Sequence, residues 1–267
     1  MIQPHNTPPN TPPNTRPAWR AREREWAVIA TVAMLLCLGF SLFPQLDLEV
    51  SRWFYAQGEG FVGNRQPLVV AVYLAVPWLG RAAALLALVV GIAGWHRAGR
   101  LGRARWRRSV LLGLVLLLGV GALVNGVLKE HWGRARPMEV AALGGVARYV
   151  PALQPSDQCD HNCSFVSGHA ATGFAVMALG FLGAPATRRR WLRLGLACGL
   201  LVGAGRVLQG GHFLSDVLFA GLAVWISAAA LRHAWLLLRL HQRRRRAGQP
   251  PVWPLRLPAP AARQRLP

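Results

Sequence analysis

The chain has 267 residues, 53% of them hydrophobic and only 15% charged. A water-soluble domain of this length carries about a quarter charged residues, so composition argues against one, and the long apolar runs point to a membrane protein. The formal net charge of +21, from 31 Lys+Arg against 10 Asp+Glu, would suit a nucleic-acid binder. Most of the arginines, however, stand in short runs between apolar segments, as topology signals do, and no nucleic-acid partner is expected.

The chain opens on a repeat, NTPPNTPPNTRP over residues 6–17. Proline at this density forbids a helix, so residues 1–25 are expected to form a disordered tail. No small-residue cleavage site follows the first apolar run, so no cleaved signal peptide is expected. The first span is Trp26 to Phe43, uncharged and about long enough to cross a bilayer. A second begins near Val76, includes Arg81 and ends at Trp95. The third is Val110 to Leu128, the fourth Ala170 to about Ala186, and the fifth Trp191 to Gly205. The sixth runs from Phe213 to about Leu231, with a continuation to Leu240 open.

The sequence therefore predicts an all-α integral membrane bundle of six helices over residues 26–240, followed by a basic, Pro-rich tail over 241–267. Arginines precede span one, join spans two and three, join spans four and five, and follow span six. These segments alternate correctly, which places both termini in the cytoplasm. Segments 44–75, 129–169 and 206–212 then face the opposite side. Tryptophans at 53, 78, 95, 106, 132, 191 and 235 fall near span ends, as an aromatic belt would. The tail motif HQRRRR is read as a topology anchor, with binding to anionic lipid as an alternative.

Cys159 and Cys163, in CDHNC, lie in the long outward loop, where a disulfide is expected. Zinc is the alternative because His161 lies between them, but four good ligands are not visible and no metal is expected. Cys37 and Cys198 fall in spans as small apolar residues.

The polar residues that composition does not explain all face outward. Lys129, Arg136 and Arg206 bring three cations to one surface without carboxylate partners, a pattern that suits phosphate. Lys129 and Arg136 are about two turns apart if the segment stays helical. Ser167 and Gly168 open a helix, whose free N–H groups and dipole favour an anion. His212 and Asp216 are spaced i, i+4, so the carboxylate can orient the imidazole as a nucleophile. His169 is a second imidazole, suited to protonating a leaving oxygen. Arg81 is read as snorkelling, His131 as a solvated loop residue and Asn125 as an interhelical hydrogen-bonder.

In series, these segments resemble the signature of the type 2 phosphatidic acid phosphatase family: K-x6-RP, PSGH and SR-x5-H-x3-D. Lys129 to Arg136-Pro137 match the first. Ser167-Gly168-His169 match the second, with Val166 in place of Pro. Arg206, His212 and Asp216 match the third, with Gly205 in place of Ser. The resemblance covers roughly residues 26–238. It implies a six-helix membrane fold and hydrolysis of a phosphomonoester or diphosphate without metal or other cofactor. Carried over, His212 attacks phosphorus and becomes a phosphohistidine, Asp216 orients it, and His169 serves the leaving group. Lys129, Arg136, Ser167, Gly168 and Arg206 then bind the phosphoryl oxygens. The related vanadium-dependent haloperoxidases share the anion site but are soluble, which six apolar spans disfavour. The expected enzyme is a multi-pass protein of a bacterial inner membrane with its site facing the periplasm. Undecaprenyl diphosphate, lipid A 1-phosphate, phosphatidylglycerophosphate and phosphatidic acid are candidate substrates, and the alternative is a non-catalytic phosphate- or lipid-binding protein. The sequence is silent on oligomeric state.

Overall fold

The structure, a computed structural model, describes residues 16–94 and 100–249. Helix α1 (Arg16–Leu42) is followed by the short α2 (Leu46–Arg52). A two-stranded antiparallel hairpin comes next, β1 (Tyr55–Ala56) with β2 (Gly60–Phe61), and then a 3-10 turn. Helix α3 (Pro67–Ala93) starts on a proline, whose fixed φ suits a first helical position. Helix α4 (Arg100–Leu114) runs on as π-helical turns over Val115–Leu128 and ends in α5 (Lys129–His131). An irregular segment reaches α6 (Gly168–Phe174), which continues as a 3-10 stretch over Ala175–Gly180. Helices α7 (Pro185–Leu208) and α8 (Leu214–Arg246) complete the bundle.

Among the described residues, five helices are long and apolar enough to cross a membrane. α8 is the central one: over half of its apolar window is buried, whereas nearly all of α3's faces outward. That outward surface carries Leu74, Leu85, Leu86, Leu88 and Ile92, all exposed. Exposed leucine on this scale is expected where the surrounding solvent is lipid.

Several boundaries differ from expectation. The second span starts at Pro67 rather than near Val76, because the apolar run before Pro77 continues the helix. α1 is helical from Arg16, so residues 16–25 of the expected tail extend the first span; residues 1–15 lie outside the described part. α8 is helical through Arg246, past the expected start of the C-terminal tail, and residues 250–267 lie outside the described part. The fourth expected span is present only as α6 and its 3-10 extension, too short to count among the five. A 3-10 turn rises more per residue than an α-turn, so residues 168–180 still reach roughly 22 Å.

Two buried ion-pair groups define the ends of the bundle. At one end Glu25 of α1 binds Arg188 of α7 and Arg232 of α8. At the other, Arg134 binds Asp47 of α2 and Asp216 of α8. α6 begins beside Asp216, through Ser167 N–H to the Asp216 carbonyl, and the chain enters α7 shortly before Arg188. The α6 segment therefore runs from one end towards the other, antiparallel to α7.

The α6–α7 contact is made by small residues. α7 buries Gly195, Gly199 and Gly203, one turn apart on one face. A Cβ on Gly199 would overlap the Phe174 ring of α6, and one on Gly203 would overlap Val217 of α8. Close backbone approach through small residues is the main way helices gain packing where lipid supplies no hydrophobic drive. Gly199→Leu is expected to force α6 from α7 and cost about 1–3 kcal/mol. Thermal unfolding in detergent checks this, and an unchanged midpoint would mean the interface is loose.

Candidate active site

The site is assembled around a buried arginine. Arg134, 1% exposed, donates from Nε to the Val150 carbonyl at 2.9 Å. Its Nη1 donates to Asp216 Oδ1 at 2.7 Å and to Ser215 Oγ at 2.9 Å, and its Nη2 to Asp47 Oδ2 at 2.8 Å. The guanidinium also lies 4.1 Å from the centroid of the Phe213 ring. Burial works against its charge, but Asp216 and Asp47 more than offset this and hold the pKa above the ordinary arginine value. Asp47 also caps the start of α8, where its Oδ1 accepts from Ser215 N–H at 2.8 Å. A carboxylate at a helix N-terminus satisfies free amides and opposes the dipole. One acid from α2 and one arginine from the loop after α5 thus fix the first turn of α8.

That turn holds His212. Asp216 Oδ2 accepts from Phe213 N–H at 2.7 Å and from the Ser164 hydroxyl at 2.5 Å. His212 Nδ1 lies 2.7 Å from the Ser164 carbonyl and 3.7 Å from Asp216 Oδ2. A carbonyl only accepts, so Nδ1 carries the proton and Nε2 carries the lone pair. The expected direct bond from Asp216 to His212 is therefore replaced by an indirect one. His212 precedes α8, so the two do not share a helical face, and Asp216 acts through Ser164 and the backbone. Burial pushes the His212 imidazole down to about 4, against the nearby carboxylate of Asp216; Arg206 and Lys129 push it the same way as burial. The ring is neutral at physiological pH, the form that can attack.

Around it stand the other expected residues. Ser167 is the N-cap of α6, its Oγ accepting from Ala170 N–H at 3.4 Å, which leaves the hydroxyl proton free to donate. Gly168 lies against Asn125, and a Cβ there would overlap Asn125 Oδ1. Asn125 itself donates to the Val120 carbonyl of its own element at 2.8 Å, so its side-chain bond is intrahelical. Arg206 is held by Gln209 Oε1 at 2.5 Å and lies 4.4 Å from the Tyr73 ring centroid, with its Nε buried and unpaired. Tyr73 also stacks on His169, centroids 5.0 Å apart, and His169 Nε2 is buried without a partner. Lys129 is buried, and none of the ion pairs found among the described residues includes it.

The helix ends at His131, so Lys129 and Arg136 do not share a helical face. Arg136 lies beyond a turn and donates to the Asn162 carbonyl at 2.6 Å. Asn162 sits inside the loop closed by a Cys159–Cys163 disulfide, Cα atoms 5.7 Å apart. His131 is exposed and bonds only its own helix, at Val127. Arg81 is exposed, lies over Trp78 and lines the same cavity as His169. That cavity, about 390 Å³, opens between α3, the π-helical segment and α6. Lys129, His169 and Gly168 stand at one end, and Pro77, Ala84, Val120 and Leu116 line the rest. No cluster of metal-ligating side chains is found among the described residues.

Two measurements check this geometry. Arg134→Gln leaves two carboxylates buried without their cation, and is expected to cost about 3–5 kcal/mol in thermal or denaturant unfolding. An unchanged stability would show that water enters the cluster. Denatured without reductant, the chain is expected to take two thiol labels, on Cys37 and Cys198, and four after reduction, the full cysteine count; four before reduction would remove the disulfide.

Comparison with known proteins gives a consistent result. Residues 110–246 match the PAP2 superfamily. The lipid A 4'-phosphatase of Francisella tularensis subsp. novicida is 32% identical over 215 residues, covering 77% of this chain and 90% of that protein. The lipid A 4'-phosphatases of Rhizobium etli and Rhizobium leguminosarum are each 31% identical, over 77% of this chain and 82% and 91% of their own lengths. No solved structure matches. A domain match over half of the chain, relatives that align along most of their length and three motifs in the family's order lead to one conclusion: the chain belongs to the PAP2 superfamily.

Proposed function

We propose that the chain is a lipid phosphatase that removes a phosphate monoester from lipid A or a lipid of similar build, without a metal, at the periplasmic surface of the inner membrane. The observation that carries this reading is the cavity beside His169. Lys129 and the His169 imidazole stand at one end, Arg81 lies on the wall, and the apolar lining follows the helices along the bundle. A phosphate at the polar end leaves its lipid tail against those walls. Relatives named as lipid A 4'-phosphatases support lipid A as the substrate and its 4'-phosphate as the group removed.

The chemistry follows from the tautomer of His212. Nε2 attacks phosphorus in line with the leaving oxygen, and the P–O bond to the lipid breaks as the P–N bond forms. His169 donates a proton to that oxygen and then takes one from the water that hydrolyses the phosphohistidine. Lys129, Arg136, Arg206, the Ser167 hydroxyl and the amides at the start of α6 hold the equatorial oxygens and stabilise their charge. Arg134, Asp47 and Ser164 position His212 without touching substrate. Arg81 at the cavity wall is available to a second polar group of the lipid. Arginine-rich segments at the Glu25 end support cytoplasmic termini, and the α6 segment is the sixth crossing.

The test is phosphate release by the purified chain in detergent from lipid A, undecaprenyl diphosphate, phosphatidylglycerophosphate and phosphatidic acid. Mass spectrometry identifies the position lost. Lipid A is expected to lose its 4'-phosphate, with EDTA without effect. His212→Ala is expected to abolish release, and His169→Gln to slow it roughly 10²–10⁴-fold. Release unaffected by His212→Ala, or from none of the lipids, would overturn the reading.

A further inference from the structure

At the Glu25 end lies a second and larger cavity, about 790 Å³, between α1, α4 and α8. Its cations are Arg22, Arg107, Arg232, Arg239 and Arg243, with His233 among them and Glu25 as the single carboxylate. Glu25 is already committed: one oxygen accepts from Arg188 and the other from Arg232 at 2.8 Å. Glu23, exposed on α1, is the only other acid among the described residues at this end, since the remaining acids run from Asp47 to Asp216 in segments at or near the opposite one. Arg107 Nε and His233 Nδ1 are buried in the cavity without a hydrogen-bond partner. Arg239 lies over the Trp235 ring, 5.4 Å from its centroid.

Cations that only fix topology face water or lipid head groups singly, and each is satisfied there. Here several converge on one cavity, Arg107 Nε and His233 Nδ1 are shut off from solvent there, and the one carboxylate that lines it is already paired. Buried donors without acceptors are costly, and gathered like charges add to the cost. An anion with several acceptor oxygens removes both penalties, and arginine forks match phosphate in particular. Trp26, Leu182, Leu236 and Leu240 line the rest of the space, which favours a ligand with an apolar part over a free ion. We propose that this cavity binds the phosphate of an anionic phospholipid from the leaflet opposite the His212 site. It shares no lining residue with the catalytic cavity, and the proposal stands independently of the reaction assigned above.

The experiment uses the full chain in neutral detergent and reads thermal stabilisation against ligand concentration, which yields a dissociation constant. The probes are dioctanoyl phosphatidylglycerol, dioctanoyl phosphatidylcholine and inorganic phosphate. Phosphatidylglycerol is expected to stabilise the chain and phosphatidylcholine not to. Arg107→Gln is expected to weaken the phosphatidylglycerol response by about tenfold or more, the loss of one charge-assisted contact. Arg243→Gln, exposed near the end of α8, reads the same property should the Arg107 variant fail to fold. Arg189→Gln, exposed at the same end but outside the cavity, and Arg206→Gln in the catalytic site are expected to leave the response intact. Equal stabilisation by phosphatidylcholine, or equal weakening in Arg189→Gln, would overturn the proposal. Loss confined to Arg206→Gln would place the lipid in the catalytic cavity instead, and a response to inorganic phosphate as large as to the lipid would overturn the lipid assignment.

Discussion

The site depends on one buried cation. Arg134 touches α2, the first turn of α8 and the loop at Val150, and its face stacks on Phe213, the neighbour of His212. Burying two carboxylates and a guanidinium is expensive, and such clusters are often no more stable than an apolar replacement. What this one supplies is geometry. Asp216 can hold Ser164 and the Phe213 amide only while Arg134 holds Asp216. Ser164 in turn sets the tautomer of His212. His212 is thus fixed by a relay in which Ser164 makes the hydrogen bond and Asp216 stands behind it at 3.7 Å.

The same structure separates two electrostatic environments along one bundle. At the His212 end the two buried carboxylates, Asp47 and Asp216, are consumed internally by Arg134, and none of the ion pairs found among the described residues includes Lys129, Arg136 or Arg206. At the Glu25 end acids are nearly absent and arginines accumulate. In the proposed reaction the phosphate meets cations that are not drawn from existing salt bridges: no ion pair found among the described residues has to break at Arg206.

Much of this was legible in the sequence. Apolar runs gave the long helices, because lipid demands continuous hydrophobic length. The three motifs gave Lys129, Arg206, His169 and His212 because each is a chemical group with no other reason to sit at a membrane surface. What escaped was the support. Arg134 stood in plain view in KEHWGRARP but was one cation among many, and no spacing rule links it to Asp47 or Asp216. Asp47 was legible only as one of few acids on the outward side. Ser164 enters partly through its backbone carbonyl, which has no sequence signature. The i, i+4 rule predicted a direct His212–Asp216 bond, yet it holds only inside a helix, and α8 begins two residues after His212. The fourth expected span was legible as an apolar run from Ala170, but its short form was not: hydropathy measures apolar length and does not see that Ala175–Gly180 stretches into a 3-10 form against α7.

The relay also imposes an order in time. Asp47 and Arg134 can pair as soon as the first half of the chain exists, but Ser215, the first α8 residue that Asp47 holds, lies 168 positions after it. At synthesis rates of about 5–20 residues per second, roughly 8–34 s separate the two. Arg134, once made, has only one of its two carboxylates until Asp216 follows. A chain that stops before residue 212 carries neither His212 nor the contacts that hold it. The relay is complete only when the first turn of α8 is in place.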